Sequence, residues 1–442
     1  MRKENIHLVP IIDGGVKKED GYDVYEEGKA NGYFCKDENG EDFVIGVWPG
    51  KCCFPDMLDD KARQWFGDKY RILIDKGIDG FWNDMNEPAI FYSEKHLKEV
   101  FEKMENYKKM NLDVNTFFEM TGMIGGICNN PEDYASFYHN YKGRRYRHDQ
   151  VHNLFGYYMT RSASEAFERY VPEKRILLFS RASYIGMHRF GGIWQGDNAS
   201  WWSHLKMNVK MMPSLNMCGF LYTGADVGGF GADATEDLVL RWLEFAVFTP
   251  LLRNHSARGT RRQEVYRFSH VEKFADVIGV RYQILPYIYS EYMKAALRNT
   301  MMFNPLSFLY GEDAMAGQVE DQLFIGENVM VAPVCEQNVT GRVVYFPERM
   351  KQLIFKNGIV EEGEVYEKGF SYVEMPMGTV HVFLREGYLF PVAKGGKCVE
   401  DVDFEDLTLY SFGEEIKPYE YYLDDGETKD FMIESHIRML SC

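Results

Sequence analysis

The sequence of 442 residues has no apolar run that approaches the roughly 18 residues needed to cross a bilayer. Its first stretch, MRKENIHLVPIIDGG, begins with basic residues, but the apolar run that follows is short and is broken by Pro10. The sequence therefore gives no support for a secretory leader or for membrane insertion, and we expect no membrane partner.

Positive charge is also scarce. The 50 lysines and arginines are outnumbered by 67 aspartates and glutamates, which leaves a formal net charge of −17. Because such a chain repels a phosphate backbone, we expect no nucleic-acid partner. The apolar content of 45%, against 26% charged residues, allows a sizeable core and excludes disorder as the main state.

Cysteine and glycine motifs are missing as well. None of the eight cysteines belongs to a Cys-x-x-Cys pair, and no Cys/His cluster has the spacing of a zinc site. The glycine-rich stretch 223–231 lacks the Gly-x-Gly-x-x-Gly spacing of dinucleotide binding. We therefore expect reduced, mostly buried thiols, a cytoplasmic location, and neither a metal nor another cofactor.

The sequence does contain an alternation of apolar runs and helical patterns. The apolar runs end in polar residues and loops, at 6–13, 80–84, 176–181, 192–197, 219–226 and 246–255. Helical patterns lie between most of them, at 55–76, 152–168 and 235–246. Asp197, Asp226 and His255 follow one another at intervals of 29 residues, about the length of one strand–helix unit. This arrangement is typical of a parallel α/β barrel.

The pattern changes after the helical run 273–299, where short β-type runs separated by turn residues begin. We therefore predict an α/β fold in which a (β/α)8-type TIM barrel is followed by C-terminal all-β domains. The barrel is predicted over residues 1–300, with an insertion near 93–150. A β-sandwich is predicted over 301–387, and a small distal β domain over 388–442.

Two aspartates stand beside tryptophans at predicted strand ends. Asp84 follows Trp82 in GFWNDMNEP (80–88), and Asp197 follows Trp194 in WQGDN (194–198). Each alone has a simpler interpretation, a helix cap for Asp84 and an Asx-turn for Asp197. Together they match the two carboxylates of glycoside hydrolysis. One is ionised and attacks the anomeric carbon, and the other keeps a raised pKa in an apolar pocket and protonates the leaving oxygen.

These motifs together resemble glycoside hydrolase family 31. Five stretches carry the resemblance, in the family's order and at about its spacing: WNDMNEP (82–88), the Arg-Ala-Ser of 181–183, WQGDN (194–198), GADVGGF (224–230) and RNH (253–255). Four more extend it, namely VWPG (47–50), FPD (54–56), DQLFIGENVMVAPV (321–334) and YYLDDGE (421–427). The likeness is greatest to the bacterial intracellular α-glucosidases that also act on α-1,6 linkages.

The resemblance implies a retaining, exo-acting α-glucosidase that releases terminal non-reducing glucose from α-1,4- or α-1,6-linked oligosaccharides. Asp84 would be the nucleophile and Asp197 the acid/base, acting through a covalent glucosyl–aspartate intermediate. In such enzymes the two carboxyl groups lie about 5–5.5 Å apart. The residues that would bind hydroxyls or wall the first subsite are Asp13, Trp48, Trp82, Met85, Arg181, Trp194, Asp226, Phe230 and His255.

The resemblance also implies a barrel that is incomplete at its N-terminus. The chain starts at what resembles the family's third barrel strand, without the β-sandwich and the two strands that precede it in family members. We therefore expect a fragment of a longer protein or a truncated product, with an open sheet edge.

Other interpretations compete with this one. Within the family, α-xylosidase and sulfoquinovosidase activities are alternatives to α-glucosidase, and the missing strands also fit a non-catalytic sugar-binding remnant. A metal-dependent barrel enzyme would use Asp84, Asp197, Asp226 and His255 as ligands. A homo-oligomer is compatible with the sequence.

Overall fold

The computed structural model describes residues 2–4, 6–431 and 433–442. The chain divides into two compact units. The first, called here the N-terminal unit, is His7–Gly191. The second, called the C-terminal unit, combines Met1–Ile6 with Gly192–Cys442. Among the residues described, no helix is both long and apolar enough to cross a membrane.

The N-terminal unit, all of whose residues are described, consists of short strands and eight α-helices. Its strands are β1 (Ile11–Asp13), β2 (Val16–Lys17), β3 (Lys36–Asp37), β4 (Val44–Val47), β5 (Gly50–Cys53), β6 (Gly80–Asp84), β7 (Tyr92–Ser93), β8 (Phe137–Tyr141), β9 (Arg144–Arg147) and β10 (Leu177–Ser180). Its helices are α1 (Asp23–Ala30), α2 (Asp60–Asp68), α3 (Arg71–Ile74), α4 (Glu94–Tyr107), α5 (Val114–Gly125), α6 (Pro131–Tyr134), α7 (His148–Val151) and α8 (Leu154–Tyr170).

Three parallel strands run side by side in the order β1-β6-β10. Asp13 of β1 is the register partner of Asp84 in β6, and Ser180 of β10 is the partner of Asn83. The first four residues of β6 are buried, as expected for a parallel strand that is covered on both faces. Because the carboxyl ends of parallel strands meet at one edge of a sheet, this order brings Asp13, Asp84 and Arg181 to the same edge.

Aromatic side chains hold this sheet against the helices. Phe81 of β6 stacks on Phe167 of α8 with ring centroids 5.3 Å apart, and Tyr70 packs edge-on against Phe81. Helix α2 begins where the side chain of Asp59 accepts hydrogen bonds from two backbone N–H groups of its first turn. Aromatic side chains therefore fill the space between β6 and these helices.

Most of the chain between β6 and β8 is helical. Ser93 caps α4, and Asp113 caps α5 in a capping box with Thr116. The two helices leave Phe101, Phe117 and other apolar side chains exposed. The chain then continues through α6 into the hairpin β8-β9, which pairs with β3.

The C-terminal unit begins with helices and continues mainly with strands. Among its described residues the strands are β11 (Gly192–Ile193), β12 (Phe303–Pro305), β13 (Leu323–Ile325), β14 (Val329–Val331), β15 (Gly341–Phe346), β16 (Met350–Lys356), β17 (Ile359–Tyr366), β18 (Gly369–Glu374), β19 (Val380–Arg385), β20 (Leu389–Ala393), β21 (Leu407–Ser411), β22 (Tyr419–Tyr422) and β23 (Ile437–Leu440). The helices are α9 (Trp202–Met217), α10 (Glu236–Ala246), α11 (Val271–Arg298) and α12 (Leu306–Leu309).

The strands after α11 form antiparallel sheets. A six-stranded sheet has the order β12-β13-β14-β19-β16-β17, and β15-β18, β20-β21 and β22-β23 form two-stranded sheets. Helix α11 packs on β20 and β22, and its Tyr287 hydroxyl donates to the carbonyl of Ile325 at 2.5 Å. These contacts join the long helix to the β region within one hydrophobic core.

Two apolar runs differ from the sequence-based expectation. Residues 246–252 are not a strand, because α10 extends to Ala246 and turns follow it, and residues 219–222 form a turn and an irregular segment. Both runs are apolar because they are buried, and periodicity cannot separate a short buried strand from a buried helix end or turn. The chain beyond each run is nevertheless paired, since Asp226 and Arg253 form a parallel bridge.

Candidate active site

The carboxyl group of Asp84 is held on two sides at the end of β6. The backbone N–H of Met85 donates to Oδ1 of Asp84 at 2.8 Å, and Nη1 of Arg181 lies 3.2 Å from the same oxygen. Met85 has a φ of 54°, so the backbone turns sharply directly after the strand. A backbone donor and a guanidinium both favour the ionised form of a carboxyl group, which is the form a nucleophile needs.

Arg181 is itself fixed by a second carboxylate. Its Nε donates to Oε1 of Glu87 at 2.6 Å and its Nη2 donates to Oε2 at 2.8 Å. This two-bond fork orients the guanidinium plane and leaves Nη1 directed at Asp84. Sequence reasoning placed Arg181 in the site but did not assign a role to Glu87.

The loops that carry Glu87 and Arg181 are joined by a buried amide. Asn86 donates from Nδ2 to Oγ of Ser180 at 2.9 Å, and its Oδ1 accepts the backbone N–H of Ala182 at 3.0 Å. The N–H of Arg181 also donates to the carbonyl of Asn83 at 3.0 Å. The loops after β6 and β10 are therefore held at a fixed separation.

Asp13 shares this edge of the sheet with Asp84. Burial is the main cause that raises the pKa of Asp13 to about 6, and the negative charge of Asp84 adds to it. The positive charge of Arg181 acts in the opposite direction. The two carboxyl groups and the guanidinium therefore form one group of interacting charges at this edge of the sheet.

Three of the residues predicted to wall the first subsite, Trp48, Trp82 and Met85, differ in their exposure to solvent. Trp82 is buried and stacks on Phe179 with centroids 5.8 Å apart, and Met85 is buried with its sulfur 3.2 Å from Nη1 of Arg181. Trp48 is 71% exposed on the turn between β4 and β5, where it meets Phe91 edge-on. Of the three, only Trp48 presents most of its ring to solvent.

A cavity of about 740 Å³ also lies in the N-terminal unit. Asp13 is among its lining residues, whereas Asp84 and Arg181 are not. The rest of the lining is mainly apolar and lies along the start of the unit and α3. Because Asp84 and the guanidinium of Arg181 do not line this cavity, we place the candidate site at the end of β6.

Asp197 lies in a turn of the C-terminal unit and its side chain is exposed. The apolar enclosure that we expected around the second carboxyl group is therefore not observed at Asp197. The turn is fixed by the next residue, Asn198, whose Nδ2 donates to Oδ1 of Asn208 and to the carbonyl of Asp226, both at 3.1 Å. Its Oδ1 accepts the backbone N–H of Phe230 at 3.0 Å.

A glycine allows the two turns to meet. Gly229 has a φ of +91°, and a Cβ at this position would lie 2.4 Å from the backbone nitrogen of Ser200. Only glycine adopts this conformation without strain and leaves room for the neighbouring backbone. Gly229, within the stretch 224–230, therefore allows the two loops to approach each other closely.

Asp226 is completely buried and is paired with Arg253. Nε of Arg253 donates to Oδ1 of Asp226 at 2.5 Å, and its guanidinium lies 4.9 Å from the ring centre of the buried Trp194. Because an unpaired buried carboxylate is costly, Arg253 offsets much of the cost of burying Asp226. The sequence pattern RNH contained Arg253, but the prediction named only His255 from it.

His255 and Phe230 stack on each other with centroids 5.2 Å apart. Burial lowers the pKa of His255, and the positive charge of Arg253 adds to this effect, whereas the negative charge of Asp197 opposes it. A neutral imidazole can accept as well as donate a hydrogen bond, as sugar hydroxyls require.

Comparison with known proteins gives the family. Residues 1–291 match the glycosyl hydrolases family 31 TIM-barrel domain, and residues 299–390 match the glycosyl hydrolase family 31 C-terminal domain. The chain belongs to glycosyl hydrolase family 31. The expected fold class, a TIM-barrel domain followed by a C-terminal β domain, is thereby confirmed.

Relatives and solved structures agree with the assignment to family 31. The chain is 32% identical to alpha-glucosidase 2 of Bacillus thermoamyloliquefaciens over 447 residues, which cover 99% of this chain and 51% of that protein. It is 29% identical to an alpha-glucosidase of Saccharolobus solfataricus, covering 89% of this chain and 54% of that protein. A family 31 dextranase of Flavobacterium johnsoniae, solved with glucose, shares the fold with a TM-score of 0.78 at 22% identity, covering 97% of this chain and 50% of that chain. The family 31 chain thus spans about half the length of these relatives.

The metal-dependent alternative requires Asp84, Asp197, Asp226 and His255 as ligands, whereas the structure brings a different set of potential ligands together. Within the described part of this family 31 chain, the residues that approach one another closely enough to hold an ion are Cys35, Asp56 and His139. Asp226, one of the four ligands required by that alternative, is paired with a guanidinium. The metal hypothesis therefore has no geometric support from Asp226.

Proposed function

We propose that this chain carries the catalytic residues of a retaining α-glucosidase that removes terminal non-reducing glucose from α-linked oligosaccharides. Asp84 is the nucleophile and Asp197 is the acid/base. The observation that carries the proposal is the fixed, charge-stabilised carboxylate of Asp84 at the end of a parallel strand, with Met85 N–H and Arg181 on the same oxygen. The relatives named alpha-glucosidase support the same reaction class.

In the first chemical step an oxygen of Asp84 forms a bond to the anomeric carbon as the glycosidic C–O bond breaks. Asp197 gives its proton to the departing oxygen, which leaves as a hydroxyl group. In the second step the carboxylate of Asp197 takes a proton from water, and the water oxygen attacks the anomeric carbon and releases Asp84. Two displacements leave the product with the α configuration of the substrate.

The remaining residues take part in binding. Asp13, Arg181, Asp226 and His255 bind sugar hydroxyls, since each offers polar atoms suited to a hydroxyl-rich ligand. Trp48, Trp82, Met85, Trp194 and Phe230 supply apolar surface for the ring faces of the sugar. The substrate is accordingly an α-glucosidic oligosaccharide, with an α-1,4 or α-1,6 linkage.

Trapping of the nucleophile tests the proposal. The chain is incubated with a 5-fluoro-α-glucosyl fluoride, digested and examined by mass spectrometry. We expect one labelled peptide that contains Asp84, and no label in Asp84→Asn. Label on another carboxylate, or a β-configured first product in a proton NMR time course, would refute the assignment.

A panel of aryl glycosides separates the family alternatives. We expect the aryl α-glucoside to be hydrolysed faster than the α-xyloside or the α-sulfoquinovoside. Binding of isomaltose without turnover of any aryl glycoside would indicate the sugar-binding alternative and contradict the proposal. Turnover that is lost on exhaustive chelation would favour a metal-dependent enzyme.

We also propose a cytoplasmic location for the protein. Cys35, Cys52, Cys53 and Cys335 are buried thiols without disulfides. Burial raises the pKa of the thiols of Cys52, Cys53 and Cys335 to about 12, which keeps them protonated and unreactive. Thiols of this kind are typical of reducing compartments. Fractionation of cells that produce the protein tests this location.

A further inference from the structure

Helix α4 is attached to the N-terminal unit by one of its faces. His96 is buried, and its Nδ1 lies 2.8 Å from Oδ1 of the buried Asp133. Val100 and Tyr107 follow on the same side of the helix and are half-buried. The hydroxyl of Tyr107 also donates to Glu119 of α5 at 3.4 Å, which joins the two helices. The opposite face of α4 is left to the solvent.

Five residues make up this outer face of α4 and are called here the α4 stripe. They recur at intervals of three or four, which places them one above another on the same side of the helix. The members are Glu94, Lys98, Phe101, Glu105 and Lys108, the last of which caps the C-terminal end of the helix. All five are exposed, and the apolar Phe101 is 64% exposed. The α4 stripe therefore has one aromatic ring at its centre and two charges on either side of it.

The charges of the α4 stripe have opposite signs on the two sides of Phe101. Toward the N-terminus they are positive and then negative, and toward the C-terminus they are negative and then positive. If two copies of α4 run antiparallel with Phe101 beside a two-fold axis, Glu94 meets Lys108 of the second copy. Lys98 meets Glu105 of the second copy to within about 1.5 Å along the helix axis, the rise of one residue. The α4 stripe is therefore complementary to itself.

The same order of charges disfavours other arrangements of the two helices. A parallel pair in register would place Glu94 against Glu94 and Lys98 against Lys98, and like charges repel each other. An unrelated partner has no reason to present this order in reverse, whereas a second copy does so by symmetry. The α4 stripe is thus matched to another copy of this chain.

The ion pairs that the α4 stripe makes within one chain are exposed. Glu94 pairs with Lys51 of β5, and both side chains are exposed. Glu105 lies 2.5 Å from Lys108, one turn further along α4, and both of these side chains are exposed as well. Exposed ion pairs contribute little to stability. Their charges can therefore pair with a second copy at little cost to the fold.

A groove of about 580 Å³ runs beside the α4 stripe. Four residues of the stripe line it, including Phe101, and Leu97 and Tyr92 give it apolar walls. A Cβ at Gly46 would lie 2.2 Å from the ring of Tyr92, so the glycine lets this ring lie directly on β4. The Phe101 ring of a second copy can enter the groove and leave the water to which it is now exposed.

Exposed apolar side chains continue beyond α4 into α5. Each of them is more than half exposed, and they are Met110, Leu112, Val114, Phe117 and Phe118. Soluble monomers rarely expose apolar side chains in such numbers at one place. Interfaces of stable dimers use about 20–30 residues on each side, whereas α4 has 14 residues. A second copy that also covers this segment reaches the size that a stable dimer needs.

We propose that the chain forms a two-fold dimer in which α4 packs antiparallel on α4 of a second copy, with Phe101 beside the symmetry axis. Two Lys98–Glu105 pairs and two Glu94–Lys108 pairs then join the copies. The net charge of −17 on each chain opposes association over long distances. At about 0.15 M salt this repulsion is screened beyond about 8 Å, whereas charges in contact still attract each other. The dimer goes beyond the function proposed above and does not depend on it.

Sedimentation velocity of the full chain tests whether the dimer forms. At about 0.15 M salt and from about 1 to 100 μM protein, we expect the monomer to be replaced by a species of twice its mass. A monomer at every concentration would overturn the proposal. Association that appears only with phosphatidylcholine vesicles would also overturn it, because the exposed apolar side chains would then belong to a lipid-binding surface.

Charge reversal tests which residues meet in the dimer. In Lys98→Glu and in Glu105→Lys both symmetry-related pairs become repulsive, so each variant is expected to weaken the dimer about tenfold or more. The double variant Lys98→Glu/Glu105→Lys restores opposite charges and should dimerise within about threefold of the parent. A double variant that stays weak, with the helix content of the parent in circular dichroism, would overturn the antiparallel pairing.

Mixing the two single variants provides a second measurement. Each chain supplies the charge that the other lacks, so Lys98→Glu and Glu105→Lys chains should form a heterodimer although each alone is mostly monomeric. A fluorescent label on one of the two chains follows this association by its sedimentation. If the labelled chain stays monomeric in the mixture, positions 98 and 105 do not meet and the proposal is wrong.

A matched control is available on the same helix. Lys103→Glu makes the same change of charge at an exposed position outside the α4 stripe, and it should alter dimerisation by less than about twofold. A loss as large as that in Lys98→Glu would show that net charge governs association and would contradict the pairing. Phe101→Ala should weaken the dimer about tenfold, and an unaffected dimer would place the interface elsewhere.

Discussion

Asp13 and Asp84 are register partners on adjacent parallel strands, so two carboxyl groups stand side by side at one end of the sheet. Adjacent strands lie about 4.8 Å apart, which is close enough for each charge to act strongly on the other. Arg181 is placed to neutralise only part of this charge, because Glu87 takes two of its donors. Burial is the main cause that raises the pKa of Asp13 to about 6, and the neighbouring charge of Asp84 adds to it.

Asp13→Asn is expected to stabilise the fold above about pH 6 and to have little effect below about pH 4. The folded-state pKa of Asp13 is raised, so its ionisation opposes folding above that value, whereas at low pH both states are protonated. The gain should be about 1 to 2 kcal/mol at pH 8, since Asp13 is partly open to solvent. Thermal unfolding at pH 4 and pH 8 measures it. Asp75→Asn, on the exposed surface, should show no such pH dependence.

Asp197→Ala is expected to reduce hydrolysis of a natural disaccharide by about 10²–10⁴-fold, and to have a far smaller effect on an aryl glucoside with an acidic phenol. Protonation of the leaving oxygen speeds the reaction only where that oxygen is basic. Measuring kcat/KM for both substrates on one protein preparation gives the ratio of the two losses. Asp233→Ala, an exposed carboxylate in a nearby loop, serves as control, and equal losses on both substrates would rule out the acid role.

Glu87→Gln should lower kcat/KM by about 10²-fold. Glutamine can accept only one of the two bonds that Arg181 now makes, so the guanidinium loses its fixed orientation at Asp84. Steady-state kinetics and the melting temperature separate this effect from loss of fold. Glu38→Gln is the exposed control, and an active Glu87→Gln would show that Arg181 is positioned by other contacts.

Arg253→Met is expected to destabilise the protein by about 3 kcal/mol, because it removes the guanidinium that pairs with the fully buried Asp226. Combining it with Asp226→Asn should recover part of the loss. Arg349→Met, which breaks exposed ion pairs with Glu367 and Glu386, should cost less than about 1 kcal/mol. Chemical denaturation of the three variants measures the differences, and similar losses at positions 253 and 349 would contradict this account.

The position of Asp84 could be predicted from the sequence because several local signals coincide there. A buried strand, a tryptophan and a carboxylate lie within a few residues of one another, and the structure has strand β6 at this place. The C-terminal strands were also predictable, since turn residues separate their β-type runs. The fold class follows from the same alternation of apolar and polar residues.

The partners of these residues could not be predicted. Glu87 meets Arg181 only because β6 and β10 are neighbours in a given register, and register is a property of the sheet and not of either segment. Asp226 and Arg253 are a second case, because they lie in different loops and pair only where the chain brings these loops together. Local patterns cannot reveal a pairing of this kind.

The turn that carries Asp197 is held by its neighbour. Asn198 makes the hydrogen bonds that join this turn to the loop of Asp226 and Phe230, whereas the side chain of Asp197 is exposed. With the acid/base role proposed above for Asp197, chemistry and architecture belong to adjacent residues. During divergence, a lineage can exchange the acid while retaining the amide, and so give rise to well-folded paralogues that no longer turn over substrate. Such relatives can be recognised in sequence by a substitution at position 197 together with an asparagine at position 198.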